Sequence, residues 1–337
     1  MGRERRPTPP AMSSDDRDAV RDVYTRAALE PDASLCCVEG AVWTLPGLVV
    51  PPRMLEMNYG CGSTVHPSDL AGTRPILYVG VGGGLEALQF AYFRRQPGGV
   101  IALDPVAEMR EAAAKNLADA ERDNPWFRRD FVRIVDGRAE ELPVDDGSIE
   151  VVAQNCLFNV FADGDLARAL SEVHRVLKVG GRFSTSDPIA TRPIPEALRA
   201  DPTLRARCVS GCRLYDEYLA ELHEGGFQQL VVRARRPYRL LTPEEFPELA
   251  SDGGELLLES LELLAVKTPR RSARPEVFTG RCATYAGRGI FHLDDRFPFP
   301  SGMPMPVSDR LAEELARRAD FRVSAPTYHA RGPGCCG

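Results

Sequence analysis

The sequence predicts an α/β fold built on a mainly parallel sheet, with a smaller α+β unit appended at its C-terminal end. Three observations predict it. Short apolar runs alternate with helical segments between residues 76 and 186, the pattern of strands that pair in parallel through helical crossovers. The first run, ILYV (76–79), passes straight into a loop with glycines at 80, 82, 83 and 84, where backbone amides can approach a ligand. After about residue 236 the composition turns Pro-rich with RRPYRLLTPEEFPEL, which marks a change of unit.

Taken in order, residues 1–12 are Pro/Arg-rich and read as disordered, and 13–73 as an N-terminal helical cap. Ser13 or Ser14 is a good N-cap, and Val20, Val23, Tyr24, Ala27 and Ala28 fall on one helical face. Residues 74–236 form the expected core. After ILYV come VIAL (100–103) ending in Asp104, FVRIV (131–135) ending in Asp136, and IEVVA (149–153) ending in Gln154-Asn155-Cys156. A helix over 165–179 carries Leu166, Leu170, Val173 and Leu177 on one face, with Gly180 as its expected C-cap, and GRFSTS (181–186) follows as a strand. In 237–337 the stretch ELLLESLELLAVK is strand-like, a helix is expected near 308–318, and a flexible tail ends in GPGCCG.

Composition narrows the function. The 337 residues are 43% hydrophobic, enough for a substantial core, and the net charge of -6 comes from interspersed charges. No basic footprint for nucleic acid or anionic membrane is present, so a small-molecule partner is expected. MGRERRPTPP lacks the apolar core of a secretory signal, and no segment approaches the roughly 20 apolar residues of a membrane span. The expectation is a cytoplasmic protein. In that reducing compartment nine cysteines point to soft-metal binding or catalysis rather than disulfides.

The glycine loop and Asp104, about 20 residues on at the end of the second strand, suit an adenosine cofactor whose ribose hydroxyls the carboxylate would accept. S-adenosylmethionine and a nicotinamide dinucleotide both satisfy that geometry. DGRAEELPVDDGSIEVV followed by ALSEVHRVLKVGGRF resembles class I S-adenosylmethionine-dependent methyltransferases over roughly residues 74 to 234. The resemblance implies a Rossmann-like fold in which Gly80, Val81, Gly82 and Gly84 approach the methionine moiety. It places Asp104 at the ribose and Ala139 and Glu140 beside the adenine, with Pro105 and Met109 among the cofactor-binding residues. Tyr59 would lie over the methionine end or pack in the core; Asn155 and Asn159 would hydrogen-bond the sulfonium end or cap the strand. Two positions depart from that family: Tyr78 stands where an acidic residue is frequent, and Arg138 where Asp is.

YGCGS (59–63), NCLFN (155–159) and CVSG (208–211) resemble, in order and spacing, three cysteine motifs of the arsenite methyltransferases. The resemblance implies that Cys61, Cys156 and Cys208 ligate As(III), a soft, three-coordinate, thiophilic centre. It further implies glutathione or thioredoxin as reductant, thiol-conjugated arsenic as an alternative substrate form, and a monomer. The glycines beside Cys61 suggest a mobile segment. Against this stands the packing of three cysteines as small apolar residues. That would fit a methyltransferase for an organic small molecule; a non-catalytic thiol-based arsenic-binding or sensing protein is a further alternative. The tail and the 237–337 extension resemble a branch associated with arsenosugar biosynthesis. Cys36-Cys37 and Cys335-Cys336 are candidate relay thiols, and Cys212 and Cys282 read as packing.

Overall fold

The computed structural model describes residues 11–32, 34–35, 43–269, 274–293 and 297–328. Cys36, Cys37, Cys335 and Cys336 lie outside the described residues. Helix α1 (Ser14–Leu29) starts where expected: the Ser13 hydroxyl accepts from the Asp16 amide at 3.1 Å, and Ala27 and Ala28 are buried. A short helix α2 (Pro52–Glu56) follows.

The core elements then alternate. Strand β1 (Ile76–Val79) leads to α3 (Leu85–Phe93), β2 (Val100–Asp104) to α4 (Ala107–Asp123), and β3 (Val132–Asp136) to β4 (Ile149–Asn155). Helix α5 (Asp163–Val176) runs directly into the long strand β5 (Leu177–Ala190). Gly180 is therefore inside the strand and does not cap the helix. The carbonyls of His174 and Leu177, which a glycine cap would leave to local turns, each accept from Lys267 Nζ at 2.7 Å instead. Helices α6 (Glu196–Arg199) and α7 (Pro202–Ala206), the two-residue strand β6 (Arg213–Leu214) and α8 (Tyr215–Glu224) bring the chain to β7 (Gln229–Leu241) and β8 (Leu256–Val266).

One nine-stranded sheet runs β3-β2-β1-β4-β5-β8-β7, continues to β9 (Glu276–Phe278), and carries β6 off β5. Strands β1 to β5 pair in parallel, whereas β8 lies antiparallel between β5 and β7. Residues 236 and 237, where the composition suggested a boundary, fall inside β7, and β8 belongs to the main sheet. Leu258, Leu261 and Leu263 of β8 share one hydrophobic core with Phe183 and Leu230. The strand character of ELLLESLELLAV was readable from its residues; its partner, 68 to 84 residues earlier along β5, was not.

The remaining strands β10 (Cys282–Tyr285), β11 (Ile290–His292), β12 (Pro298–Pro300), β13 (Pro304–Pro306) and β14 (Phe321–Val323) form two small sheets beside α9 (Asp309–Ala316). They enclose a separate cluster that includes Ala283, Phe299, Leu315 and Phe321. Among the described residues no helix is long and apolar enough to cross a membrane.

The sheet order reverses at β1, whose neighbours β2 and β4 continue in opposite directions. Such a switch point opens a crevice beyond the carboxyl ends of the strands. The glycine loop after β1, Asp104 at the end of β2 and Asn155-Cys156 at the end of β4 all converge there.

Candidate active site

A cavity of about 390 Å³ occupies this crevice. Gly80 and Gly82 line it with φ of 82° and 52°, in the left-handed region that favours glycine. A Cβ on Gly82 would meet nothing within 4 Å, so the backbone conformation and not crowding requires glycine, and the space beside it is open. Asp104, Pro105 and Met109 line the next part of the wall, and Ala139 and Glu140 the far end. The Asp104 carboxylate accepts from the Val106 amide at 2.9 Å, and burial pushes its pKa up to about 6. Helix α1 also lines the cavity, through Arg17, Val20, Arg21 and Tyr24. Sequence reasoning found this helix but not its place over the cavity, because nothing local in an amphipathic helix says which surface it covers.

Tyr59 and Asn155 face both this cavity and a smaller recess of about 40 Å³ on the inner side of the glycine loop. Val81 lines the recess. Tyr78 and Glu86 line it as well and were not singled out together beforehand. Gly84 and Asn159 line neither space. Gly84 is the left-handed N-cap of α3. Asn159 is wholly buried and donates to the Pro188 carbonyl at 2.6 Å, so it holds a loop in place rather than facing a ligand.

Cys156 lines the main cavity at the tip of β4. Its φ of 59° and that of Cys208, 56°, are the two positive values among the described non-glycine residues. Left-handed backbone costs a residue with a Cβ roughly 1–2 kcal/mol, and such strain persists where surrounding contacts over-determine it. Around Cys156 they do: its amide donates to Ser186 O at 2.7 Å, the Leu157 amide to Gln154 Oε1 and the Phe158 amide to Asp187 Oδ1. Asp187 is wholly buried, accepts from Tyr218 at 2.6 Å, and is pushed by burial up to about 6.

Cys208 follows α7. The Cys208 amide bonds Arg205 O and the Val209 amide bonds Leu204 O, both at 2.9 Å, which is a Schellman ending with cysteine in the position that usually takes glycine. The turn aims the Cys208 thiol at the carbonyl of Cys156, 2.9 Å away. Cys212 donates in turn to the Cys208 carbonyl at 2.9 Å.

Cys61 reaches the same strand tip from the other side. Its amide donates to Asn155 Oδ1 at 3.1 Å, and its sulfur stands 3.4 Å from Ser186 Oγ. The expected mobile segment is instead tightly held. Cys61 O accepts from Arg236 and Ser260, Gly62 O from Asn155, the Ser63 amide donates to Glu262, and Thr64 bonds Glu86 twice and Ser184 once. The flanking glycines serve close packing: a Cβ on Gly60 or Gly62 would stand 2.5 Å from Asn155 or Ser186. The three cysteine segments thus meet around residues 155 and 156, with Cys156 facing the cavity and Cys61 and Cys208 turned inward. Among the described residues no three His, Cys, Asp or Glu side chains stand at metal-ligating distances.

Residues 77–185 match the family model of a methyltransferase domain. The chain is 31% identical over 177 residues to an arsenite methyltransferase of Halobacterium salinarum, covering 52% of this chain and 43% of that one. To the arsenite methyltransferase of Aquipseudomonas alcaligenes it is 33% identical over 199 residues, 56% and 55% of the two chains. The chain therefore spans about half the length of these two relatives. With the Mus musculus arsenite methyltransferase it shares 27% identity over 267 residues, 76% of this chain and 67% of the relative. The fold is also that of an arsenic(III) S-adenosylmethionine methyltransferase from Chlamydomonas reinhardtii, with TM-score 0.59 and 24% identity, covering 83% of this chain and 94% of that one.

Proposed function

We propose that the chain is an S-adenosylmethionine-dependent arsenite methyltransferase, as its similarity to the arsenite methyltransferases supports, and that it transfers a methyl group from S-adenosylmethionine to trivalent arsenic held by Cys61, Cys156 and Cys208. The observation that carries this is the convergence of three cysteine segments at the tip of β4, two of them holding cysteine in left-handed backbone. The cavity suits the cofactor. Open glycine backbone lies at one end, a buried carboxylate in the middle, and Ala139 with Glu140 at the other end.

Bound there, the cofactor supplies an electrophilic sulfonium methyl. Asp104 would accept from the ribose hydroxyls, and α1 would exclude water from the outer side. Cys156, at the cavity wall, would hold arsenic in line with that methyl, so that proximity and alignment carry the rate. Arsenic held at the cavity wall would form the new As–C bond through its lone pair as the S–CH₃ bond breaks, with S-adenosylhomocysteine as the leaving group. No protein base is required, because no proton leaves arsenic. Arsenic is formally oxidised by two electrons, which thiols return by forming a disulfide that glutathione or thioredoxin clears. Thiol-conjugated arsenic would enter by ligand exchange. Such chemistry suits the reducing cytoplasm, and no further macromolecular partner is invoked.

The test is arsenic speciation by chromatography after incubation with As(III), glutathione and S-adenosylmethionine, for wild type and each Cys→Ser of the three. Methylated arsenic from wild type and none from the variants is expected; unmethylated arsenic alone in the wild-type sample sinks the proposal. A second reading has its own observation. The inward hydrogen bonds of Cys61 and Cys208 favour cysteines that only pack, with methyl transfer to an organic small molecule. In that case Cys208→Ser would keep its activity.

A further inference from the structure

The recess behind the glycine loop contains a carboxylate without a cation. Glu86, in the first turn of α3, is 5% exposed. Two of its roughly four acceptor sites are filled by the Thr64 amide and hydroxyl, each at 2.8 Å. The Tyr78 and Asn155 side chains bond the carboxyl as well, and none of these groups is charged. Most other buried carboxylates are paired with a cation; Asp104, on the main cavity, is bonded by the Val106 amide and has no ion pair among the described residues. Glu150 has Arg94 and Lys178, Glu262 has Arg236, and Asp69 has Arg233. Asp187 also lacks a cation but borders neither cavity and is bonded by Tyr218, Thr185, Gln154 and the Phe158 amide.

An ionised carboxylate out of water costs several kcal/mol unless a positive partner compensates it, and burial accordingly pushes the Glu86 carboxyl up. The first-turn position offsets part of that cost through the helix dipole. The recess supplies the rest of the clue. It has room for only a few heavy atoms, about 40 Å³, and shares Tyr59, Gly80, Gly82 and Asn155 with the main cavity. A ligand filling the main cavity would reach Glu86 only with its narrow end, and a small cationic group there would neutralise the carboxylate. The neighbouring strand β1 offers no acid of its own, since Tyr78 occupies its third position.

We propose that Glu86 receives the α-ammonium group of S-adenosylmethionine, so that the charge recognising the amino-acid end of the cofactor comes from helix α3 and not from strand β1. The assignment rests on the cofactor reading above. It makes Glu86 a discriminator: ligands carrying the amino group are held, and those lacking it are not.

The experiment compares, by isothermal titration calorimetry, S-adenosylhomocysteine with its deamino analogue, the same molecule with hydrogen in place of the α-amino group. Wild type should bind S-adenosylhomocysteine about 10- to 100-fold more tightly, the range for a hydrogen bond between charged groups. Glu86→Gln should bind the two alike, with the deamino analogue held as in wild type. A merely structural role of Glu86, through its bonds to Thr64, would weaken both ligands together, and that outcome overturns the assignment. A wild-type ratio near one overturns it without any variant, which covers the case in which E86Q does not fold. Failure of wild type to bind either ligand would overturn the cofactor reading and this assignment with it.

Discussion

Replacing Cys61, Cys156 and Cys208 each by alanine and by glycine separates backbone strain from side-chain packing. All three thiols are buried, at 0%, 4% and 1% exposure, so each Ala→Gly step removes one buried methyl, about 0.8 kcal/mol. Glycine also costs roughly 0.5–1 kcal/mol in unfolded-state freedom. At position 61, where φ is not positive, alanine should therefore be the more stable variant by about 1.5 kcal/mol. At 156 and 208 glycine also escapes the left-handed penalty of roughly 1–2 kcal/mol, which cancels the difference. Urea unfolding of the six variants, compared by midpoint at unchanged slope, reads this directly. The expected result is a clear alanine preference at 61 and none at 156 or 208. An equal alanine preference at all three positions would refute the strain argument.

Two further outcomes follow. Asp187 has its pKa raised from 3.8 to about 6 by burial; its contribution is fully present below pH 4 and is lost as pH rises through 6, a swing of up to about 3 kcal/mol. Asp187→Asn should shrink the stability difference between pH 4.5 and 7.5 by about 1–3 kcal/mol relative to wild type in urea titrations, and an unchanged difference would refute this. Arg236→Met leaves Glu262 buried without its cation and removes a donor from the Cys61 carbonyl, at a cost of about 3–5 kcal/mol. The double variant with Glu262→Met should recover much of that in thermal unfolding; a double variant no more stable than the single one would contradict it.

Much of this was legible in the residues because it is local. The run ILYV, the glycines after it, Asp104 and the strand ending in Asn155-Cys156 all carry their signals within a few positions, and the structure brings Gly80, Gly82, Asp104, Asn155 and Cys156, though not Gly84, to one cavity. Features decided by distant partners were not legible. Gly180 looks like a helix cap until Lys267 is seen to satisfy the helix carbonyls. The glycines beside Cys61 look like flexibility until Asn155 and Ser186 are seen pressed against them. Cys208 did leave a local trace: it follows a helix beginning Asp201-Pro202, at the point where a terminating glycine is usual.

Beside the Asn155 bond to the Cys61 amide, Cys61 and Ser63 are held by Arg236, Ser260 and Glu262, all three outside the stretch that matches the methyltransferase domain. The antiparallel edge of the sheet and the first cysteine loop therefore form one inheritable block. A chimera that exchanges residues 59–66 with a relative while keeping these two strands, or the reverse, would bring together a loop and a socket with no shared history. Grafts that move both segments together are the ones from which a working first cysteine should be recovered.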